Sequence, residues 1–233
     1  MNFSRIQAIF IKDYKEFSRN YAVSIMVLLP LIMAFIYNKT GVNNIQAYFL
    51  PINLAFTSVT AFVQCCLIAE EKERNTLRSL MLSPATLFDI LLGKSLLVFS
   101  ISAVTVLLSI FLVGYNPGNW LILGIALFLS IVFYTGLGTL GALFTKTILE
   151  ASVVILPIIL LFSFGPFLTV LAENIPVLKV AEWLPSTQII LLAESLEVSY
   201  TLSDVLIPIM TILIWTIIIW LSTIFLYKKR MVD

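Results

Sequence analysis

The sequence predicts an all-α integral membrane protein. It has six transmembrane helices, an N-terminal amphipathic surface helix, a charged cytoplasmic segment between spans two and three, and an outer helical hairpin between spans five and six. Three observations carry this expectation. Of 233 residues, 60% are hydrophobic and only 12% are charged, against about 45–50% and 25% in soluble domains. The charges are confined, leaving windows free of them that are long enough to span a bilayer. The Lys and Arg residues also fall almost entirely on one side of the resulting topology.

Residues 1–19 hold six charges. Phe3, Ile6, Phe10, Tyr14 and Phe17 recur at spacings of three and four, with Arg5, Lys12, Asp13, Lys15 and Glu16 between them. That period describes an amphipathic helix lying on a membrane surface. No small-residue cleavage site follows the first apolar run, so the segment reads as retained rather than as a signal peptide.

A charge at a span centre costs about 2.5–3.5 kcal/mol on insertion scales, so the charge-free windows place the spans. Residues 20–38 form the first. Residues 40–69 form the second window, whose polar start TGVNNIQ leaves about 47–69 as helix. The window 95–145 is too long for one span and is divided by the turn GYNPGN into 95–113 and 119–145. The fifth and sixth spans are 151–172 and 205–227. The whole chain, 1–233, reads as a single transmembrane domain without a soluble domain, linker or clear internal repeat.

An even number of spans puts both termini on one side. Arg5, Lys12, Lys15, Arg19, Lys72, Arg74, Arg78, Lys94, Lys146, Lys228, Lys229 and Arg230 fall there, twelve of the fourteen basic residues. That side is therefore expected to be the cytoplasm. The outer loop 173–204 carries Glu173, Glu182, Glu194, Glu197 and Asp204 against Lys179 alone. Its apolar pieces FLTVL and WLPSTQIILLAESL suggest a helical hairpin turned at Asn174-Ile175-Pro176, re-entrant or interfacial.

Several chemistries are disfavoured. There is no histidine, which weighs against most zinc, haem and iron sites and His-assisted nucleophiles. The net charge of +1 offers no footprint for nucleic acid. No G-x-x-x-x-G-K-[ST] occurs, so the chain has no Walker loop for ATP. Adjacent Cys65 and Cys66 read as small apolar packers. In the second span Asn53, Thr57, Thr60 and Gln64 fall at i, i+4, i+7 and i+11, one face of an α-helix. They either line a substrate path or bond to neighbouring helices. Gly138, Gly141, Ala142 and Thr145 in the fourth span allow close helix approach.

The segment Glu70–Lys94 holds eight charges between two charge-free windows. Glu70 and Arg74 stand in the favourable i, i+4 order. Asn75 tolerates the left-handed conformation that ends helices. Leu77, Leu80 and Met81 share a face of a short amphipathic helix opposite Arg78 and Ser79. Ser83-Pro84 starts the next helix, Asp89 lies near its positive end, and Lys94 is expected to snorkel to the headgroups. An apolar knob on a solvated loop suits a docking partner.

These residues carry a family resemblance. Glu71-Lys72-Glu73-Arg74-Asn75-Thr76-Leu77, Ser83-Pro84 and Gly93-Lys94 resemble the E-x-E-x-x-T-L, S-P and G-K signature of ABC-2 type transporter permeases, and the six-span topology agrees along the whole chain. Asn75 stands where the family usually has glycine. Within the family the chain is similar to the small permeases of Gram-positive peptide exporters, including those for phenol-soluble modulins. The resemblance implies the membrane-spanning subunit of an ATP-driven exporter in the bacterial plasma membrane, paired with a second permease, identical or a paralogue. A separate ATPase subunit would bind ATP and Mg; this chain would bind no cofactor and catalyse nothing. Glu70, Glu71, Glu73, Arg74, Asn75, Thr76, Leu77, Arg78, Leu80, Met81, Ser83 and Pro84 would couple to that ATPase. The cargo would be amphipathic or antimicrobial-type peptides; drugs, lipids, glycans or ions are the alternatives within the family. Glu70-Glu71 with Arg74 also invites comparison with the CAAX-processing and bacteriocin-immunity family of intramembrane proteases. That family depends on histidines, and here the Arg is one place too close. A non-transporting immunity protein is a further alternative.

Overall fold

The structure is a computed structural model that describes residues 3–41, 44–74, 87–171, 175–198 and 200–232. All regular structure among the described residues is helical. Six helices are long and apolar enough to cross a membrane: Tyr21–Thr40, Ile45–Glu73, Leu92–Val113, Trp120–Leu143, Ile148–Thr169 and Leu202–Tyr227. A surface helix, Phe3–Arg19, precedes them. Between spans five and six, a 3-10 segment, Pro176–Trp183, leads into an outer helix, Pro185–Glu197.

Short polar residues set the ends. Gly41 closes the first span in the left-handed region, with φ 65°. Asn44 opens the second by accepting from the Gln46 amide at 3.1 Å. Gly114, with φ 80°, follows the third span. Asn119 opens the fourth by accepting from the Leu121 and Ile122 amides. Thr147 accepts from the Glu150 amide at 3.2 Å while the Glu150 carboxylate accepts from the Lys146 amide at 2.7 Å. This reciprocal bonding at the start of the fifth span is akin to a capping box.

The second span is the axis of the bundle. Its window is buried along its entire length, whereas only a third or less of the first, fifth and sixth spans' windows is buried. Spans three, four and five pack around it. The sixth span packs on the fourth, where the Trp220 indole donates to the Val132 carbonyl at 3.1 Å. The first span and the surface helix both pack on the third. The outer helix inserts Ile189, Ile190, Leu192, Ala193 and Leu196 between spans five and six and the ends of spans two and four. Cys65 and Cys66 are buried and unbridged.

Two features explain how these neighbours fit around one helix. The first is glycine at the closest crossing. A Cβ on Gly138 would collide with the Ala61 carbonyl oxygen, so the fourth and second spans meet backbone to backbone. The second is a π-helical stretch, Ala55–Ala61, inside the second span. Its wider turn breaks the 3.6-residue period. The face expected for Asn53, Thr57, Thr60 and Gln64 therefore fans out, and each residue reaches a different neighbour.

The surface helix also differs from the pattern read in its sequence. Among its described side chains Ile6, Ile9 and Asp13 are buried, while Tyr14 is exposed. The reason is the crossing with the third span, where a Cβ on Gly93 would strike the Ile9 side chain.

Gly138→Ala should destabilise the protein by about 1–3 kcal/mol, the usual cost of overpacking. Gly124→Ala, which meets nothing within 4 Å, should be neutral or slightly stabilising. Thermal unfolding of both variants in detergent checks the contrast.

Candidate functional site

The charged end of the second span is a junction. Within five residues, Glu70 to Arg74, four side chains tie it to four other elements. Glu71 accepts from Lys12 of the surface helix and pairs with Lys94 of the third span at 2.7 Å. Glu70 pairs with Arg74 at 2.6 Å and accepts from the Asn20 amide at 3.1 Å. Lys72 donates to the Ala142 carbonyl and, at 3.1 Å, to that of Thr145, covering the carbonyl end of the fourth span. Glu73 accepts from the Ile148 amide at 3.1 Å, at the start of the fifth. Placing a cation at a helix C-terminus and an anion at an N-terminus agrees with both helix dipoles.

The core of this junction is a buried ionic cluster. The Lys94 side chain is 2% exposed, Glu71 1% and Asp13 0%. Lys94 lies 3.4 Å from Asp13, and Lys12 lies 3.7 Å from Asp13 and 3.5 Å from Glu16. The expected snorkelling of Lys94 is thus corrected: the ammonium turns into the protein because two carboxylates wait there. Burial raises the Asp13 carboxyl above the ordinary carboxylate range; Lys94 pulls it down, and Glu71 pushes it further up. Burial lowers Lys12, but its bond to Glu71 and the charges of Glu71, Asp13 and Glu16 more than offset this and hold it above its usual value. Asp13, Glu16 and Glu71 lie close enough to suggest a cation site. Lys12 and Lys94 already supply the cations.

Of the expected coupling residues, Glu70, Glu71, Glu73 and Arg74 are brought together here. Asn75, Thr76, Leu77, Arg78, Leu80, Met81, Ser83 and Pro84 lie outside the described residues. Sequence reading missed Asp13 as the inward partner of Lys94. The available signal was an acid at the spacing of the buried Ile6 and Ile9.

Asn53, Thr57, Thr60 and Gln64 of the second span lie in the bundle's interior, and all four are buried. The Asn53 amide donates to the Ser186 carbonyl of the outer helix at 3.2 Å. Thr57 and Ser163 of the fifth span share a 2.7 Å hydrogen bond. Thr60 donates to Ser102 of the third span at 2.8 Å, and the Gln64 amide to Thr139 of the fourth at 3.0 Å.

The model of one protein family, described as ABC-2 family transporter protein, matches residues 6–226. No curated protein matches the chain.

Breaking the buried cluster on one side should be costly. Lys94→Ala leaves Glu71 and Asp13 short of a cation and is expected to cost about 3–5 kcal/mol. Lys94→Met combined with Glu71→Leu should cost clearly less than the sum of the two single changes. Denaturation midpoints of Lys94→Ala, of Lys94→Met and Glu71→Leu singly, and of the double variant test this.

Proposed function

We propose, from the premise that this chain belongs to the ABC-2 family of transporter proteins and is a multi-pass permease component of an ABC transporter, that residues 70–94 are its coupling segment. In this reading the ABC ATPase that the family works with is a separate subunit. It holds ATP and Mg and docks on the apolar face of Leu77, Leu80 and Met81. Both termini and this segment face the cytoplasm of a bacterial cell, as the skew of Lys and Arg suggests. Two permeases, identical or paralogous, flank the transport path.

The observation that carries the reading is the junction at Glu70–Arg74. A push on the segment after Arg74 is delivered to a helix end bonded to the surface helix and to spans three, four and five. Those elements would then move together rather than one at a time. The same bonds weigh against a hydrolase. Glu70 and Glu71 are engaged with Arg74, Asn20, Lys12 and Lys94, and neither is poised as a free general base.

The direction we propose is export, and the cargo amphipathic or antimicrobial-type peptides, in keeping with the motif resemblance to peptide exporters. Drugs, lipids, glycans and ions are the alternatives for the same machinery. Asn53, Thr57, Thr60 and Gln64 each have a partner on another element of the same chain. This supports the reading of that polar set as a structural spine over its reading as a path lining.

Leu77→Glu or Leu80→Glu should abolish ATPase association or ATP-driven flux while the chain remains folded in the membrane. Reconstitution with the ATPase in proteoliposomes measures both, and normal flux would sink the coupling assignment. Thr57→Val and Gln64→Leu should lower thermal stability by about 1–3 kcal/mol and leave cargo preference unchanged. A changed preference in a stably assembled complex would instead place these residues on the path.

A further inference from the structure

Where the surface helix ends and the first span begins lies a cavity of about 610 Å³. Three basic side chains line it, Lys15, Arg19 and Arg74, together with the acids Glu16 and Glu70. Each acid already lies beside a cation. Glu70 is 4% exposed and holds Arg74 at 2.6 Å and Asn20 at 3.1 Å. Glu16 lies 3.5 Å from Lys12, a cation it shares with Glu71 and Asp13. Lys15 and Arg19 have no such partner among the described residues, and the three basic and two acidic side chains of the lining leave it a net charge of about +1 at neutral pH.

The surroundings are those of a bilayer interface. Tyr21 and Ile148, the start of spans one and five, also line the cavity. Tyr21 is 81% exposed, and exposed Tyr at a span end belongs to the headgroup layer. One to two turns further along, Ile25 and Leu28 of the first span and Val153 of the fifth are exposed apolar residues. The cavity has a basic lining and lies at the starts of two helices with exposed apolar residues.

We propose that this cavity seats the phosphate headgroup of an anionic phospholipid. Lys15 and Arg19 bind the phosphate, Arg19 with the forked geometry suited to two of its oxygens. The acyl chains run along the exposed faces of spans one and five. A bound lipid would brace the turn between the surface helix and the first span against the Glu70–Arg74 pair. The proposal concerns this chain alone and stands apart from the transport reading, since its test contains no ATPase.

The test uses the purified full chain in neutral detergent, titrated with phosphatidylglycerol or phosphatidylcholine, with the thermal midpoint as readout. Each basic side chain near an anionic lipid surface contributes about fivefold in affinity. Phosphatidylglycerol should therefore be preferred by about tenfold or more. The Lys15→Gln/Arg19→Gln variant should bring that ratio close to one. The charge-keeping Lys15→Arg/Arg19→Lys variant should retain it, which separates lost binding from lost folding. Neutralising two other basic residues, Lys228→Gln/Lys229→Gln, should also retain it. The proposal fails if the Lys15/Arg19 double neutralisation keeps the preference, or if the Lys228/Lys229 change removes as much. It also fails if inorganic phosphate alone reproduces the stabilisation and competes with the lipid, which would assign the cavity to a soluble phosphate. Absence of any preference for phosphatidylglycerol in the unaltered chain would overturn it as well.

Discussion

The ammonium of Lys94 and the carboxylate of Glu71 lie 2.7 Å apart, with almost no contact with solvent. Removing each from water costs several kcal/mol, and the attraction between them offsets this only with good geometry and further partners. Those further partners are Asp13 and Lys12, both on the surface helix. The ion pair therefore dictates more than itself. It needs the surface helix seated on the third span, which needs Gly93 at the crossing. It also needs the second span to extend as helix past the apolar window, to Glu73. The charged end of the bundle is organised by the requirement that these two charges never be left alone.

The same rule operates without charge deeper in the bundle. Hydrocarbon offers no hydrogen bonds, so polar side chains on a buried helix must find partners on neighbouring ones. An ideal α-helix would present Asn53, Thr57, Thr60 and Gln64 to one neighbour. The π-helical stretch Ala55–Ala61 turns them to four. The second span thereby holds the outer helix and spans three, four and five at once, and Gly138 lets the fourth approach it closely.

Much of this was legible in the sequence because charge in a bilayer is expensive. The six spans follow from where the charges are not, and Asn119 and Gly114 mark the turn that splits residues 95–145. The Glu70–Arg74 pair was legible because it is local. The Lys94–Asp13 contact was not, since 81 positions separate its members and no periodicity links them. Snorkelling is the ordinary fate of a lysine at a span end, and only the tertiary placement of two carboxylates overrides it. The π-helical stretch was equally hidden: AFTSVTA has nothing that an α-helix would refuse. The polar set of the second span was thus found by its spacing, while the four separate partners it meets were not.

The sequence separations of those four hydrogen bonds bear on how the chain is made. Thr60 meets a partner 42 residues later, Gln64 75 later, Thr57 106 later and Asn53 133 later. At ribosomal rates of about 5–20 residues per second, the last interval is on the order of ten seconds. The helix that becomes the axis of the bundle enters the bilayer early, with its polar groups unmatched, and acquires their partners one by one as translation proceeds. Its completion waits on Ser186, in a helix that crosses nothing.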